Sequence, residues 1–129
     1  MAIIGVGSDI IEVERVKRAL MHDRTGARFR ARVFAESEIT YCDSRGLPRF
    51  ESYAARFAAK EAVMKAMGTG WGPNARWSEI EVVRDSNGAP GIVLHGKAAA
   101  FAASRGARRF HLSLSHTSET AIAYAIAED

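Results

Sequence analysis

Asp9 closes a short apolar run, Ala2 to Ile10, and Glu61 lies in the cation-rich stretch Arg56-Phe57-Ala58-Ala59-Lys60-Glu61-Ala62-Val63-Met64-Lys65. A carboxylate held out at a strand end suits a ligand site, although an Asp there also caps a following helix. One or two carboxylates, completed by phosphate oxygens and waters, is the usual way a protein holds Mg²⁺. Lys60 and Lys65 beside such an ion suit a phosphate-bearing substrate, because they neutralise charge that develops in phosphoryl transfer. Residue type and spacing are compatible with Mg²⁺-assisted phosphate chemistry without selecting it uniquely.

Other chemistries fit less well. Ser115 and His116 are adjacent on a strand, so they point to opposite faces and cannot form a nucleophile–base dyad with each other. No Gly-x-Ser-x-Gly elbow is present. The four histidines, His22, His95, His111 and His116, lack zinc-ligand spacing. His116 sits at a strand-to-turn junction, where it could donate to an anion or serve as an ordinary turn residue. The single Cys42 excludes an internal disulfide and fits a reducing compartment. No stretch approaches the ~20 apolar residues of a membrane span, and the N-terminus lacks the basic segment of a secretory signal. A cytoplasmic protein with no membrane partner is expected.

The elements that must position these residues follow from periodicity. Ala2 to Ile10 reads as a strand and Glu12 to Met21 as a helix, with Val13, Val16 and Leu20 inward and Arg15 and Arg18 outward. Phe29 to Phe34 is ambiguous between strand and helix, and Glu36 to Cys42 reads as a helix start. A long helix begins at Ser52 and ends at Gly68, a C-cap glycine. Along it Ala55, Ala58, Ala59, Ala62 and Ala66 form one stripe that lets another backbone approach closely. Trp77 to Arg84 reads as a strand, Asp85-Ser86-Asn87-Gly88 as a hairpin turn, and Gly91 to Leu94 as the return. Gly96 to Arg105 is an Ala-rich helix, and Phe110 to Ser115 and Ala121 to Ala127 are the last two strands. The expected architecture is a single α+β domain over residues 1–129, a mainly antiparallel sheet packed against a central helix.

Net charge is only +3, but 14 of the 18 basic residues are Arg, the side chain suited to bidentate contact with phosphate or carboxylate. Between Arg15 and Arg32 seven basic residues face one acid, Asp23. Such a segment is either a solvated surface or a docking face for an acidic partner.

Gly7-Ser8-Asp9 with Glu14-Arg15, the helix motif Arg56 to Ala62 with Lys65-Ala66, Trp77 to Val82, and Ser113-Leu114-Ser115-His116-Thr117 resemble, in order and spacing, the holo-[acyl-carrier-protein] synthase branch of the 4′-phosphopantetheinyl transferases. The resemblance runs from the first strand to the last. It implies transfer of the 4′-phosphopantetheine arm of coenzyme A to a serine of apo acyl carrier protein, with adenosine 3′,5′-bisphosphate released, in support of fatty acid biosynthesis. It implies Asp9 and Glu61 as Mg²⁺ ligands and, with Lys65, as catalytic groups, Lys65 and Lys60 near the phosphates, and His116 against coenzyme A. Deprotonation of the carrier serine could fall to Glu61 or to a metal-bound water. Carriers of this family are small and acidic and dock on the first helix, where Arg15 matches the contact position. Arg18, Arg24 and Arg28 extend that face by charge alone. The family is typically a homotrimer with sites at subunit interfaces.

Two other readings stay open at this level. One keeps the reaction but moves it to a carrier domain of a polyketide or peptide synthase. The other is a small basic nucleic-acid-binding module, disfavoured because only Phe29 interleaves with the basic residues and no reader motif is present.

Overall fold

The computed structural model describes Met1–Asp129. The chain runs β1 (Ile3–Glu12), α1 (Val13–Met21), α2 (Gly26–Val33), α3 (Glu36–Asp43), α4 (Arg49–Met67), a short 3₁₀ turn (Trp77–Glu79), β2 (Ile80–Arg84), β3 (Pro90–Leu94), α5 (Gly96–Ser104), β4 (Arg109–His116) and β5 (Thr120–Glu128). β1, β5 and β4 form an antiparallel sheet in that order, and β2 and β3 form a separate hairpin. In the larger sheet Tyr124 of β5 stands opposite Ser8 on one side and Ser113 on the other. This is an α+β fold with antiparallel sheets around a central helix.

The alanine stripe of α4 explains how helix and sheet meet. Ala55, Ala58, Ala59, Ala62 and Ala66 are all buried, and so are Ala121, Ala123, Ala125 and Ala127 of β5. On β1 the residues facing the helix are Gly5, Gly7, Asp9 and Ile11. A Cβ built on Gly5 would overlap the carbonyl of Ala66, and one on Gly7 the carbonyl of Ala62. With no side chain at these two positions, the strand backbone lies directly on the helix. That contact carries Asp9 to the flank of α4.

Gly68 ends α4 in the left-handed region (φ 83°), its N–H bonding Lys65 and that of Thr69 bonding Met64, a Schellman closure. The β2–β3 turn is held by Asp85, whose carboxylate accepts from the N–H groups of Asn87 and Ala89.

The structure revises three boundaries and resolves one ambiguity. β1 runs on to Glu12, so Asp9 lies inside the strand and not at its end. α4 starts at Arg49, three residues before Ser52, because Pro48 has a φ (−75°) that leads into the helix. Phe29 to Phe34 lies largely in α2, where Phe29 packs against Phe34 and Phe57 at 6.3 Å. Trp77 to Glu79 is a 3₁₀ turn and not strand. Glu79 folds back to accept from the Arg76 N–H and caps α5 through the N–H groups of Lys97 and Ala98. Burial raises the Glu79 pKa, but the N–H groups of Lys97, Arg76 and Ala98 outweigh it and hold the carboxyl below its usual range.

Candidate active site

The β1–α4 contact brings Asp9 and the helix motif together. Lys65 reaches back along α4, as helical side chains do. Its Nζ donates to the Ser8 carbonyl at 2.8 Å and to Asp9 Oδ1 at 3.3 Å. Asp9 is mostly covered (18% side-chain exposure), whereas Lys65 is open to solvent at 56%. Glu61 lies one helical turn before Lys65. Its Oε2 accepts from Trp77 Nε1 at 2.9 Å, which fixes one carboxylate oxygen and leaves Oε1 without a protein partner. The three groups thus lie along one seam, with Asp9 from the strand and Glu61 and Lys65 from the helix.

The donor set can be tested against the implied Mg²⁺. Both acids offer hard oxygens, and Asp9 Oδ2 and Glu61 Oε1 are free of protein hydrogen bonds. Nowhere do three or more His, Cys, Asp or Glu side chains gather as a cage. Two carboxylates without a third protein ligand suit a Mg²⁺ whose remaining positions go to phosphate oxygens and water. The residues fit the ion.

Lys60 does not join them. Its side chain is wholly buried, and Nζ donates to Glu38 Oε1 at 2.7 Å and to the carbonyls of Trp77 (3.0 Å) and Ile80 (2.5 Å). An ammonium has three donors, so none is left for a phosphate. Burial pushes the Lys60 pKa down, against the pull of Glu38. Glu38 also accepts from the N–H groups of Ala35 and Val82. This pair ties α3, α4 and β2 together, and the expectation that Lys60 binds the cofactor is corrected to a structural role.

His116 sits elsewhere. Its Nδ1 lies 3.1 Å from Glu51 Oε1 near the start of α4. Glu51 precedes Glu61 by ten residues, about 15 Å along a helix. Around His116 is a cleft of about 240 Å³, lined among others by Tyr41, Arg45, Ser52, Arg56 and Arg84. Arg56 is 3% exposed, its Nε has no partner, and its guanidinium stacks over Tyr41 at 4.3 Å. Clustered guanidiniums with an unsatisfied buried donor suit an anion. The structure therefore places His116 in a basic cleft of its own, apart from Asp9 and Glu61 of the same chain.

Arg15 and Arg18 are exposed on α1, Arg24 in the turn after it and Arg28 on α2. Arg18 makes only a 3.9 Å contact with Glu14, a surface pair of little energetic weight. Sequence reasoning missed Trp77, Glu51, Arg45 and Arg56 as site residues. Arg56 was visible as the residue four before Lys60; Trp77, Arg45 and Glu51 join these sites only by tertiary folding. Cys42 is buried, and burial pushes its thiol up to about 12, away from the thiolate form that reacts.

An aspartate inside β1 that meets a glutamate and an exposed lysine on a central helix is an arrangement suited to a phosphate-bearing substrate. A profile of the 4′-phosphopantetheinyl transferase superfamily matches residues 5–125, and the chain belongs to that superfamily. It is 52% identical over 121 residues, 94% of this chain and 89% of the relative, to the holo-[acyl-carrier-protein] synthase of Ruminiclostridium cellulolyticum. Its fold matches the crystal structure of that enzyme from Neisseria meningitidis with a TM-score of 0.87 at 30% identity, covering 99% of this chain and 100% of the other. It also matches the Bacillus anthracis enzyme in complex with coenzyme A (3′,5′-ADP), TM-score 0.80 at 34% identity over 98% and 97% of the two chains.

Proposed function

We propose that this protein transfers 4′-phosphopantetheine from coenzyme A to a serine hydroxyl of apo acyl carrier protein. The observation that carries the site assignment is the Lys65 ammonium bridging from its helix to Asp9, one turn from Glu61. The serine oxygen attacks the phosphorus that bears the pantetheine. The bond from that phosphorus to the bridging oxygen of the pyrophosphate breaks, and adenosine 3′,5′-bisphosphate leaves. Asp9 and Glu61 would hold Mg²⁺, which when bound neutralises charge on the pyrophosphate oxygens. Lys65, half open to solvent, donates to the same oxygens. Trp77 holds Glu61 in place through Oε2 and leaves Oε1 for the ion, so the serine proton passes to water.

The assembly we infer is a homotrimer. On the side of the sheet away from α4, Val6 and Ile10 of β1 and Tyr124 of β5 are 63%, 66% and 51% exposed. Cross-strand register sets Val6 beside Ile126 and Ile10 beside Ile122 on the same face, an apolar surface of the kind that marks an interface. Copies of this chain packed there reconcile the carboxylates with the His116 cleft, because His116 and Arg56 of one subunit would then serve coenzyme A bound at the carboxylates of its neighbour. Fatty acid synthesis is the pathway that this reading favours, in the cytoplasm. The acidic carrier would dock on Arg15, Arg18, Arg24 and Arg28.

Incubation with coenzyme A, Mg²⁺ and a bacterial apo acyl carrier protein tests the reading by intact mass. A gain of one phosphopantetheine on the carrier, lost on chelation with EDTA, is expected. No gain with several carriers would overturn it.

A further inference from the structure

The α4–β2 connection carries an exposed aromatic that the proposed reaction leaves without a role. Trp71 is 53% exposed, pinned beside the Gly72–Ala75 bridge. Its ring stacks on Trp77 (centroids 5.1 Å, planes 21° apart), and Trp77 in turn packs on Phe57 at 5.9 Å. Trp77 is also the residue that donates to Glu61. An aromatic row therefore runs from the open surface to the candidate metal carboxylate.

Around Trp71 lies an open cleft of about 630 Å³, lined by Arg28, Ala31, Arg32, Trp71, Arg76 and Ser78. Arg28 and Arg32 are one turn apart on α2 and share a face. None of the three guanidiniums is within ion-pair distance of a carboxylate, although acids elsewhere on the surface take up Arg18, Lys65 and Arg109. A half-exposed indole in a ring of unpaired arginines combines the side chains that dominate binding energy at protein interfaces. The ring is complementary to an acidic partner and continues the Arg15–Arg28 face at its Arg28 end.

We propose that Trp71, Arg32 and Arg76 form a second carrier-docking element, with Trp71 the apolar anchor and the arginines pairing acidic side chains of the carrier. The inference rests on the carrier reading given above and extends it from α1 and α2 to the connection after α4. It gives the carrier a contact one stacked ring from Glu61, which places the serine-bearing segment at the site. The same side chains could in principle stack a single-stranded nucleic acid; the link through Trp77 to Glu61 and the continuity with the α1 face favour the carrier.

The test is affinity for an apo acyl carrier protein, measured by titration calorimetry without coenzyme A, on wild type, Trp71→Ala, Trp71→Phe and Arg32→Glu/Arg76→Glu. Trp71→Ala should weaken binding tenfold or more, and the charge-reversed variant at least as much. Trp71→Phe should stay within about threefold of wild type, and coenzyme A affinity should be unchanged in all three. The charge-reversed variant leaves the aromatic row intact, so it tests the element even where Trp71→Ala loses stability. Carrier affinity within twofold of wild type in both disruptive variants would overturn the element while leaving transfer itself standing. A wild type that neither binds nor modifies any carrier would remove both readings. A twelve-nucleotide single strand that binds wild type more tightly than the carrier, and loses that affinity in Trp71→Ala, would overturn the proposal in favour of nucleic acid.

Discussion

Lys60 Nζ lies 2.7 Å from Glu38 Oε1 with neither side chain exposed, whereas Lys65, five residues further along α4, is more than half exposed beside Asp9. Two lysines of one helix motif thus have separate settings, one inside the fold and one open to solvent beside Asp9. Removing one partner of a buried ion pair leaves the other charge uncompensated and costs about 3–5 kcal/mol. Lys60→Ala should lower the unfolding free energy by about that much in urea titration, and the Lys60→Met/Glu38→Leu pair should recover much of it. A Lys60→Ala protein as stable as wild type but with a raised KM for coenzyme A would restore Lys60 to the phosphate site.

Lys65→Ala should behave in the opposite way. Its exposed ammonium contributes about 0–1 kcal/mol to stability through Asp9, so melting should change little. Loss of a charge aimed at the transferred phosphoryl costs about 3–4 kcal/mol of transition-state stabilisation, roughly 10²–10³ in rate. Steady-state transfer kinetics beside a thermal melt separate the two effects.

Glu79 gives the fold a dependence on acid. Its folded pKa lies below the ordinary 4.5, so the charged form is the one that the capped α5 prefers. The contribution is complete above the unfolded value and is lost as pH falls below 4.5 and through the lower folded value. Glu79→Gln should therefore flatten the loss of stability in that window, while Glu79→Ala should cost about 1 kcal/mol at neutral pH, the usual size of a cap. Urea midpoints measured between pH 3 and 7 check both. An unchanged pH profile in Glu79→Gln would remove the cap from the account.

The apolar sheet face predicts the assembly. Light scattering should give a particle of three 14.0 kDa chains, and Tyr124→Arg, placed mid-face opposite Ser8, should shift it to monomer and abolish transfer. A wild-type monomer with full activity would contradict shared sites.

Much of the fold was legible because its signals are local. The alanine stripe, Gly68 and the Asp85 turn each specify geometry within a few residues. The partners of the charges were not legible, since a period of 3.6 tells which face a lysine occupies but not what covers that face. Lys60 read as a cation facing a phosphate until α3 and the Trp77 turn closed over it. Trp77 to Glu79 read as strand because it leads into the alternating Ile80-Glu81-Val82; the long-range bonds that Glu79 accepts from Lys97 and Ala98 override that preference. Asp9 was legible as a candidate, although β1 runs past it to Glu12, and only the absence of side chains at Gly5 and Gly7 brings it to α4.

The pairing of Asp9 with Glu61 is the central claim, and single-turnover transfer to apo acyl carrier protein, read by intact mass, tests it most directly. Asp9→Ala and Glu61→Ala should each retain a native melt and leave the carrier unmodified over times in which wild type converts it fully. A folded variant of either residue that transfers phosphopantetheine at the wild-type rate would contradict the site.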